Sequence, residues 1–311
     1  MDVRERVAII GSGLIGRAWA VVFAGGGCDV TLYDAVAGVA EKASTLVAEG
    51  LEEVSAHGLV RDAKAAATRV RAATSLADAL DGATFVQENT PELIEVKRGI
   101  FAELDRLSAP DAILASSTST IVASAFTESL NGRHRCLVAH PVNPPHLVPL
   151  VELVAAPWTA PAVIAKAKAI YEAVGQVPIV VKREIEGFIL NRLQAVLLSE
   201  AFRLVEDDYV TPQDLDKTLR DGLGLRWSFM GPFETIELNA PGGIPDYCAR
   251  YGPSLSRLSA ADPTIYDGET LGRIMAQWPN ARTADQVAAR MRWRDRRLAA
   301  LKAHKRSQPA D

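Results

Sequence analysis

Two residues stand where hydropathy alone would not put them: His140, closing the apolar run Cys136–Ala139, and Glu152, interrupting Leu150-Val-Glu-Leu-Val154. An unpaired carboxylate is costly to bury, so Glu152 needs a partner inside the fold, and an imidazole is the natural one. A His–Glu pair supports one kind of chemistry: the ring takes a proton from a hydroxyl while the anion orients it and stabilises the imidazolium. The other histidines, His57, His134, His146 and His304, fall in helical or loop contexts. A core histidine satisfied by a local hydrogen bond is the competing reading of His140, and positions 140 and 152 alone do not choose between the two.

A second constellation lies at the start of the chain. Gly11-Ser-Gly13-Leu14-Ile15-Gly16 follows an apolar strand directly and opens an amphipathic helix, the context in which G-x-G-x-x-G signals a dinucleotide. Gly11 permits a tight turn, Gly13 lets backbone approach a pyrophosphate, and Gly16 lets the helix pack on the strand. Free N–H groups and the positive dipole end at the helix start favour phosphate. A second strand, DVTLY, ends at Asp34, about where an acid accepts hydrogen bonds from an adenosine ribose. A carboxylate there repels a 2′-phosphate, so NAD is expected rather than NADP. The competing view is a glycine turn that only packs a helix on a sheet.

The elements that must position these residues follow from periodicity. Arg6–Ile10, Val30–Tyr33, Thr84–Gln87, Ile113–Ser116, Cys136–Ala139, Leu150–Val154 and Val177–Val181 read as strands. Helical spacing fills Leu14–Ala24, Val36–Ala56, Leu93–Leu107 and Ala162–Ala173 between them. Strand then helix throughout predicts an α/β fold, a Rossmann-type, mostly parallel sheet. Past Gly187 the pattern turns all-helical, with long amphipathic segments at Phe188–Val205, Pro212–Arg220 and Ala284–Lys305. The boundary falls near Arg183–Glu186, giving a cofactor domain over 1–185 and an all-α domain for substrate and dimerisation over 186–311. Pro241–Pro253 reads as an ordered loop in which Tyr247, Cys248 and Tyr251 pack, and the chain is expected to fray after His304.

Composition narrows the class. The 311 residues exceed the roughly 250–300 at which single cores stop growing. At 48% hydrophobic and 23% charged, this is an ordinary globular chain. A net charge of -4 argues against nucleic acid or anionic membrane as partner. The arginine-rich stretch Met291–Arg297 reads as a solvated face. Cys28, Cys136 and Cys248 are scattered singly, which fits a reducing cytoplasm and neither a disulfide framework nor a metal site. MDVRERVAII has no secretory pattern, and no segment reaches the roughly 18 apolar residues of a membrane span.

Several runs carry a resemblance in order along nearly the whole chain: ASSTSTI at 115–121, HPVNPP at 140–145, LVELV at 150–154 and GFILNR at 187–192. Together they resemble the 3-hydroxyacyl-CoA dehydrogenase superfamily. GLGLRWSFMGPFET at 222–235 is similar to the lambda-crystallin branch, whose activity is L-gulonate 3-dehydrogenase, and to carnitine dehydrogenases. The resemblance implies a homodimer and makes His140 the catalytic base with Glu152 its partner. It gives Ser119 and Asn191 to the substrate oxygen, and Leu14, Ile15, Asp34, Glu92 and Lys97 to NAD. From the residues alone, Ser119 and Asn191 are also ordinary turn and cap formers. Glu92 and Lys97 also fit a solvated helix start.

One departure bears on substrate. Where the acyl-CoA enzymes run from a glycine-rich turn almost directly into MGPF, this chain reads Gly224-Leu-Arg226-Trp227-Ser-Phe-Met-Gly-Pro-Phe. An arginine there can fork a substrate carboxylate with two charge-assisted hydrogen bonds, which a thioester could not use. Arg226 is therefore expected to bind a free, small 3-hydroxy acid; the plain alternative is a surface arginine stacked on Trp227. The alternatives for function are a 3-hydroxyacyl-CoA dehydrogenase, with Arg61, Lys64 and Arg69 toward coenzyme A phosphates, an L-carnitine 3-dehydrogenase, and a non-catalytic structural protein.

Overall fold

Strands buried on both faces read as continuous apolar runs, and β1 (Arg6–Ile10), β4 (Phe85–Glu88) and β5 (Ile113–Ser116) are of that kind. In the computed structural model, which describes residues 5–228, 230–258 and 284–308, they lie at the centre of one eight-stranded sheet. Its order is β3-β2-β1-β4-β5-β6-β7-β8, with β2 at Asp29–Tyr33, β3 at Val70–Ala72, β6 at Cys136–Pro141, β7 at Leu150–Ala155 and β8 at Val177–Val181. Neighbours pair in parallel except β6 and β7, which are antiparallel.

Two features depart from the alternation expected of the sequence. β3 is an edge strand of three half-exposed residues, too short to show a period. Between β6 and β7 there is no helix, because residues 142–149 carry Pro144, Pro145 and Pro149, which remove donors and resist helical backbone. That direct return makes β7 antiparallel and sets His140 opposite Glu152.

Helices cover both faces. On one, α1 (Leu14–Gly25), α2 (Val39–Ala56) and α7 (Pro161–Ala173) bury Trp19, Phe23, Leu51 and Tyr171. The Tyr171 ring lies 5.3 Å from Trp19 and edge-on to Phe85 at 5.6 Å. Its buried hydroxyl donates to Gln87 Oε1, so the aromatic body fills the core while its polar tip stays satisfied. On the other face, α4 (Leu76–Leu80), α5 (Ile94–Leu107) and α6 (Ser124–Thr127) bury Leu80, Phe101, Leu104 and Phe126. A short α3 (Ala63–Ala67) is capped by Asp62.

The chain divides into two compact units, 1–191 with 285–311, and 192–284. By contacts, residues 285–311 group with the first unit, whereas the sequence reads as one all-α domain over 186–311. Helix α8 (Leu190–Glu206) begins in the first unit and runs into the second. The second also holds α9 (Pro212–Lys217), a π-helical turn at Thr218–Leu223, α10 (Gly224–Trp227), α11 (Pro232–Leu238) and α12 (Gly243–Leu258). The final helix, α13 (Ala284–Ser307), belongs to the first unit: Ala299 is buried in its core, and Leu298 packs against it. Lys302 and Arg306 donate to the carbonyls of His146 and Leu59. The helix therefore stays ordered past His304, contrary to expectation. Helix α12 likewise replaces the loop expected at Pro241–Pro253. The Tyr247 and Tyr251 rings meet one turn apart at 4.9 Å, tilted by 52°, Asp246 pairs with Arg250 at 2.6 Å, and Pro253 is carried inside the helix. Cys248 is exposed rather than packed. In α13, Arg292, Arg296 and Arg297 are exposed, and Arg297 stacks over Trp293 at 4.7 Å.

Candidate active site

Antiparallel pairing places His140 directly across from Glu152, and side chains of opposed residues share a face. His140 Nδ1 lies 2.8 Å from Glu152 Oε2, with both residues buried. The other carboxylate oxygen, Oε1, accepts the backbone N–H groups of Ile189 at 2.9 Å and Leu190 at 3.0 Å. These are orphan donors at the start of α8, so one carboxylate fixes the ring and caps a helix together.

The turn that aims them is built by Gly187 and Phe188, both left-handed at φ 72° and 48°. Glycine adopts this freely; a phenylalanine does so at a cost. The Phe188 ring is fully buried and lies 5.4 Å from the His140 ring, which holds the residue in place. Burial alone would push the Glu152 carboxyl up; the His140 hydrogen bond and the N–H groups of Leu190 and Ile189 outweigh it and hold the group below the ordinary carboxylate range. An ionised carboxylate only accepts, so in the neutral ring the proton sits on Nδ1 and Nε2 keeps its lone pair.

Ser119 and Asn191 meet beside the same helix start. Asn191 Nδ2 donates to the Ser119 carbonyl at 2.8 Å, and the Ser119 N–H donates to Glu92 Oε1 at 2.9 Å. That oxygen also accepts from the Thr118 hydroxyl at 2.5 Å and the Thr120 N–H at 3.0 Å. For Glu92 as well, burial pushes the carboxyl up. The Thr118 hydroxyl, the N–H groups of Thr120 and Ser119, and the charge of Lys97 outweigh it and leave the group lowered. Glu92, though exposed, thus ties the 118–120 loop.

The glycine loop has the geometry its spacing suggests. Gly11 has φ 88°, and a Cβ there would meet the Asn89 carbonyl oxygen at 2.7 Å; one on Gly16 would meet Gly11 O at 2.0 Å. At Gly13, nothing lies within 4 Å of that position, so the backbone is open to an approaching group. Gly13 also starts α1 without a side-chain cap, leaving its first amides to a ligand. Asp34, at the end of β2, accepts from the N–H groups of Ser12 at 2.9 Å and Val36 at 3.0 Å. Leu14 is exposed on this loop, while Ile15 is half-buried against the core. An uncapped helix start, an open glycine and a carboxylate at the next strand end fit a dinucleotide.

The sequence matches two family models, the 3-hydroxyacyl-CoA dehydrogenase NAD-binding domain over residues 6–185 and its C-terminal domain over 187–277. The chain belongs to the 3-hydroxyacyl-CoA dehydrogenase family. It is 42% identical to a lambda-crystallin homolog of Mus musculus over 296 residues, 93% of this chain and 92% of that one. An L-carnitine dehydrogenase of a Pseudomonas species is 39% identical over 249 residues, 80% of this chain and 77% of the other. A solved structure, 5-formyl-3-hydroxy-2-methylpyridine 4-carboxylic acid 5-dehydrogenase, described as an NAD+-dependent dismutase, superposes with a TM-score of 0.86 at 28% identity, covering 99% of this chain and 100% of that chain. The protein is an NAD-dependent oxidoreductase of this family.

Lys97, expected at the cofactor, sits in a buried ion pair with Glu88. Lys97 is 1% exposed, not solvated. Its ammonium donates to both Glu88 oxygens, at 2.8 and 2.9 Å, and to the Thr90 carbonyl at 3.0 Å. These bonds let Lys97 hold the turn before Glu92. Glu88 also accepts from Ser116 Oγ at 2.6 Å and the Thr90 N–H at 2.5 Å. The rule that singles out Glu152, a carboxylate in a buried strand, also finds Glu88 in Phe85-Val-Gln-Glu88.

Arg226 lies exposed in α10 of the second unit, and among the described residues no ion pair or ring contact engages it. It is therefore not the arginine stacked on Trp227 that the sequence also allowed. Arg61 and Lys64 are exposed, and Arg69 donates to the Ala24 carbonyl at 3.4 Å.

The lowered Glu152 carboxyl gives a signed expectation. A depressed carboxylate stabilises the fold above its unfolded value, about 4.3, and that contribution is lost as pH falls through the folded value. Glu152→Gln should therefore be less stable than wild type at pH 7, with the gap closing on acidification below about pH 4. Urea unfolding across that range checks it, and a gap independent of pH contradicts it.

Proposed function

We propose that this enzyme oxidises the 3-hydroxyl carbon of a small, free 3-hydroxy acid of the L-gulonate type, with His140 as base. The observation that carries the mechanism is the buried His140–Glu152 pair. His140 Nε2 accepts the hydroxyl proton while the C3 hydrogen departs with its electron pair, leaving a ketone. NAD, when bound, supplies the acceptor for that hydride. Gly11, Gly13, Leu14, Ile15, Gly16, Asp34, Glu92 and Lys97 form its side of the site. Glu152 keeps the ring in the required tautomer and stabilises the imidazolium as the proton arrives. Ser119 and Asn191 hold the substrate oxygen. Asn191 uses one N–H on the Ser119 carbonyl, and its second remains for substrate.

A free acid is favoured over a thioester because Arg226 has no protein partner among the described residues. An L-carnitine dehydrogenase among the relatives is consistent with a free hydroxy acid. Exposed Leu193 and Val196 on α8 support a homodimer through the second unit. Buried Cys28 and Cys136, neither of them in a disulfide, suit a reducing cytoplasm.

Formation of NADH on mixing protein and NAD with L-gulonate, L-carnitine or 3-hydroxybutyryl-CoA tests the reading. Turnover of a free acid is expected, turnover of the thioester alone would point to the acyl-CoA reaction, and silence on all would leave a structural role. His140→Ala should lower kcat by about 100- to 10,000-fold with NAD affinity retained; an unchanged kcat would remove it as base. Arg226→Ala should raise KM for the free acid about tenfold or more, the loss of charge-assisted hydrogen bonds, with NAD binding intact. Equal kinetics would refute the clamp.

A further inference from the structure

The three helices on one face of the sheet, α1, α2 and α7, end around a cavity of about 330 Å3 that the last turns of α13 complete. Its lining contains two cations, Lys302 and Arg306, and no Asp or Glu. Lys302 Nζ donates to the His146 carbonyl at 2.9 Å, and Arg306 Nη1 to the Leu59 carbonyl at 3.0 Å. Neither joins an ion pair among the described residues. Burial first, and then the neighbouring charge of Arg306, push the Lys302 ammonium down to about 8.

A plainer role exists for both side chains, as cations set against carbonyl-rich helix ends. It occupies one proton of each and leaves the others, two on the ammonium and four on the guanidinium, without a protein acceptor. It also does nothing for Gln176, which lines the same cavity. Gln176 is 6% exposed, and its Oε1 is buried with no hydrogen-bond partner. A buried unpaired acceptor is a standing cost of the fold. An occupant that is an anion toward Lys302 and Arg306 and a donor toward Gln176 satisfies all three groups.

We propose that this cavity is a binding site for a small oxyanion carrying its own hydroxyl, held between Lys302, Arg306 and Gln176. Hydrogen phosphate has that chemistry, and so has a short hydroxy carboxylate such as glycolate. Sulfate has the charge without the proton. Binding joins α13 to the ends of α1 and α7, so an occupant stabilises the docked terminal helix by mass action.

The test is titration calorimetry on the NAD-saturated protein, so that the glycine loop is filled, with inorganic phosphate, glycolate, sulfate and chloride at matched ionic strength. One site per chain is expected for phosphate, glycolate or both, which identifies the source, with sulfate at least several-fold weaker. Lys302→Met with Arg306→Met should weaken binding about tenfold or more. Because that pair also docks α13, Gln176→Glu is the second variant: it places an anion in the cavity, and should abolish phosphate and glycolate binding while raising Tm. No binding to wild type, sulfate equal to the hydroxylated anions, or binding undiminished in Gln176→Glu would each overturn the site.

Discussion

The buried carboxylate of Glu152 is the constraint on which the site depends. It sits in a strand that would otherwise be wholly apolar, and an ion there survives only if hydrogen-bond partners replace its lost water. Two backbone amides and one imidazole supply those partners. Each is delivered by a separate feature: the antiparallel return of β7, the left-handed Gly187–Phe188 turn, and the start of α8. None of the three can shift without leaving the charge unpaired, which costs more than any one contact contributes. The ring orientation that proton transfer needs follows from the same bonds that make burial tolerable.

The pattern repeats along the ends of the central strands. Glu88 gathers Lys97, Ser116 and Thr90, and Glu92 gathers Thr118, Ser119 and Thr120. Asn191 then links the loop held by Glu92 to the helix held by Glu152. Glu88 and Glu92 thus fix the irregular backbone beyond β4 and β5, and Glu152 fixes the backbone entering α8, beside the strand ends where an open α/β sheet meets its ligands.

Much of this was legible in the sequence where burial forces a pattern. Apolar runs marked seven of the eight strands, the glycines in their strand-to-helix context marked the nucleotide loop, and the lone acid in Leu150–Val154 called for its histidine. What escaped is what tertiary contacts decide. Lys97 lies in an amphipathic helix and reads as a surface residue; only the fold shows that Glu88 faces it. β3 is too short to have a period. Gly243, Pro245 and Pro253 suggest a loop, yet a tilted tyrosine pair and a salt bridge at helical spacing support a helix. Nothing in α13 announces that it belongs with the first unit, since that depends on a small residue, Ala299, meeting a core more than a hundred residues earlier in the chain.

Nitrogen NMR of the protein labelled at histidine tests the central claim most directly, because the two ring nitrogens report separately on the proton. The neutral His140 ring should carry its proton on Nδ1 and leave Nε2 bare in wild type, and Glu152→Gln should lose that preference. A neutral ring protonated on Nε2 in the wild-type enzyme would contradict the account, since the nitrogen assigned to the substrate hydroxyl would have no lone pair to accept its proton.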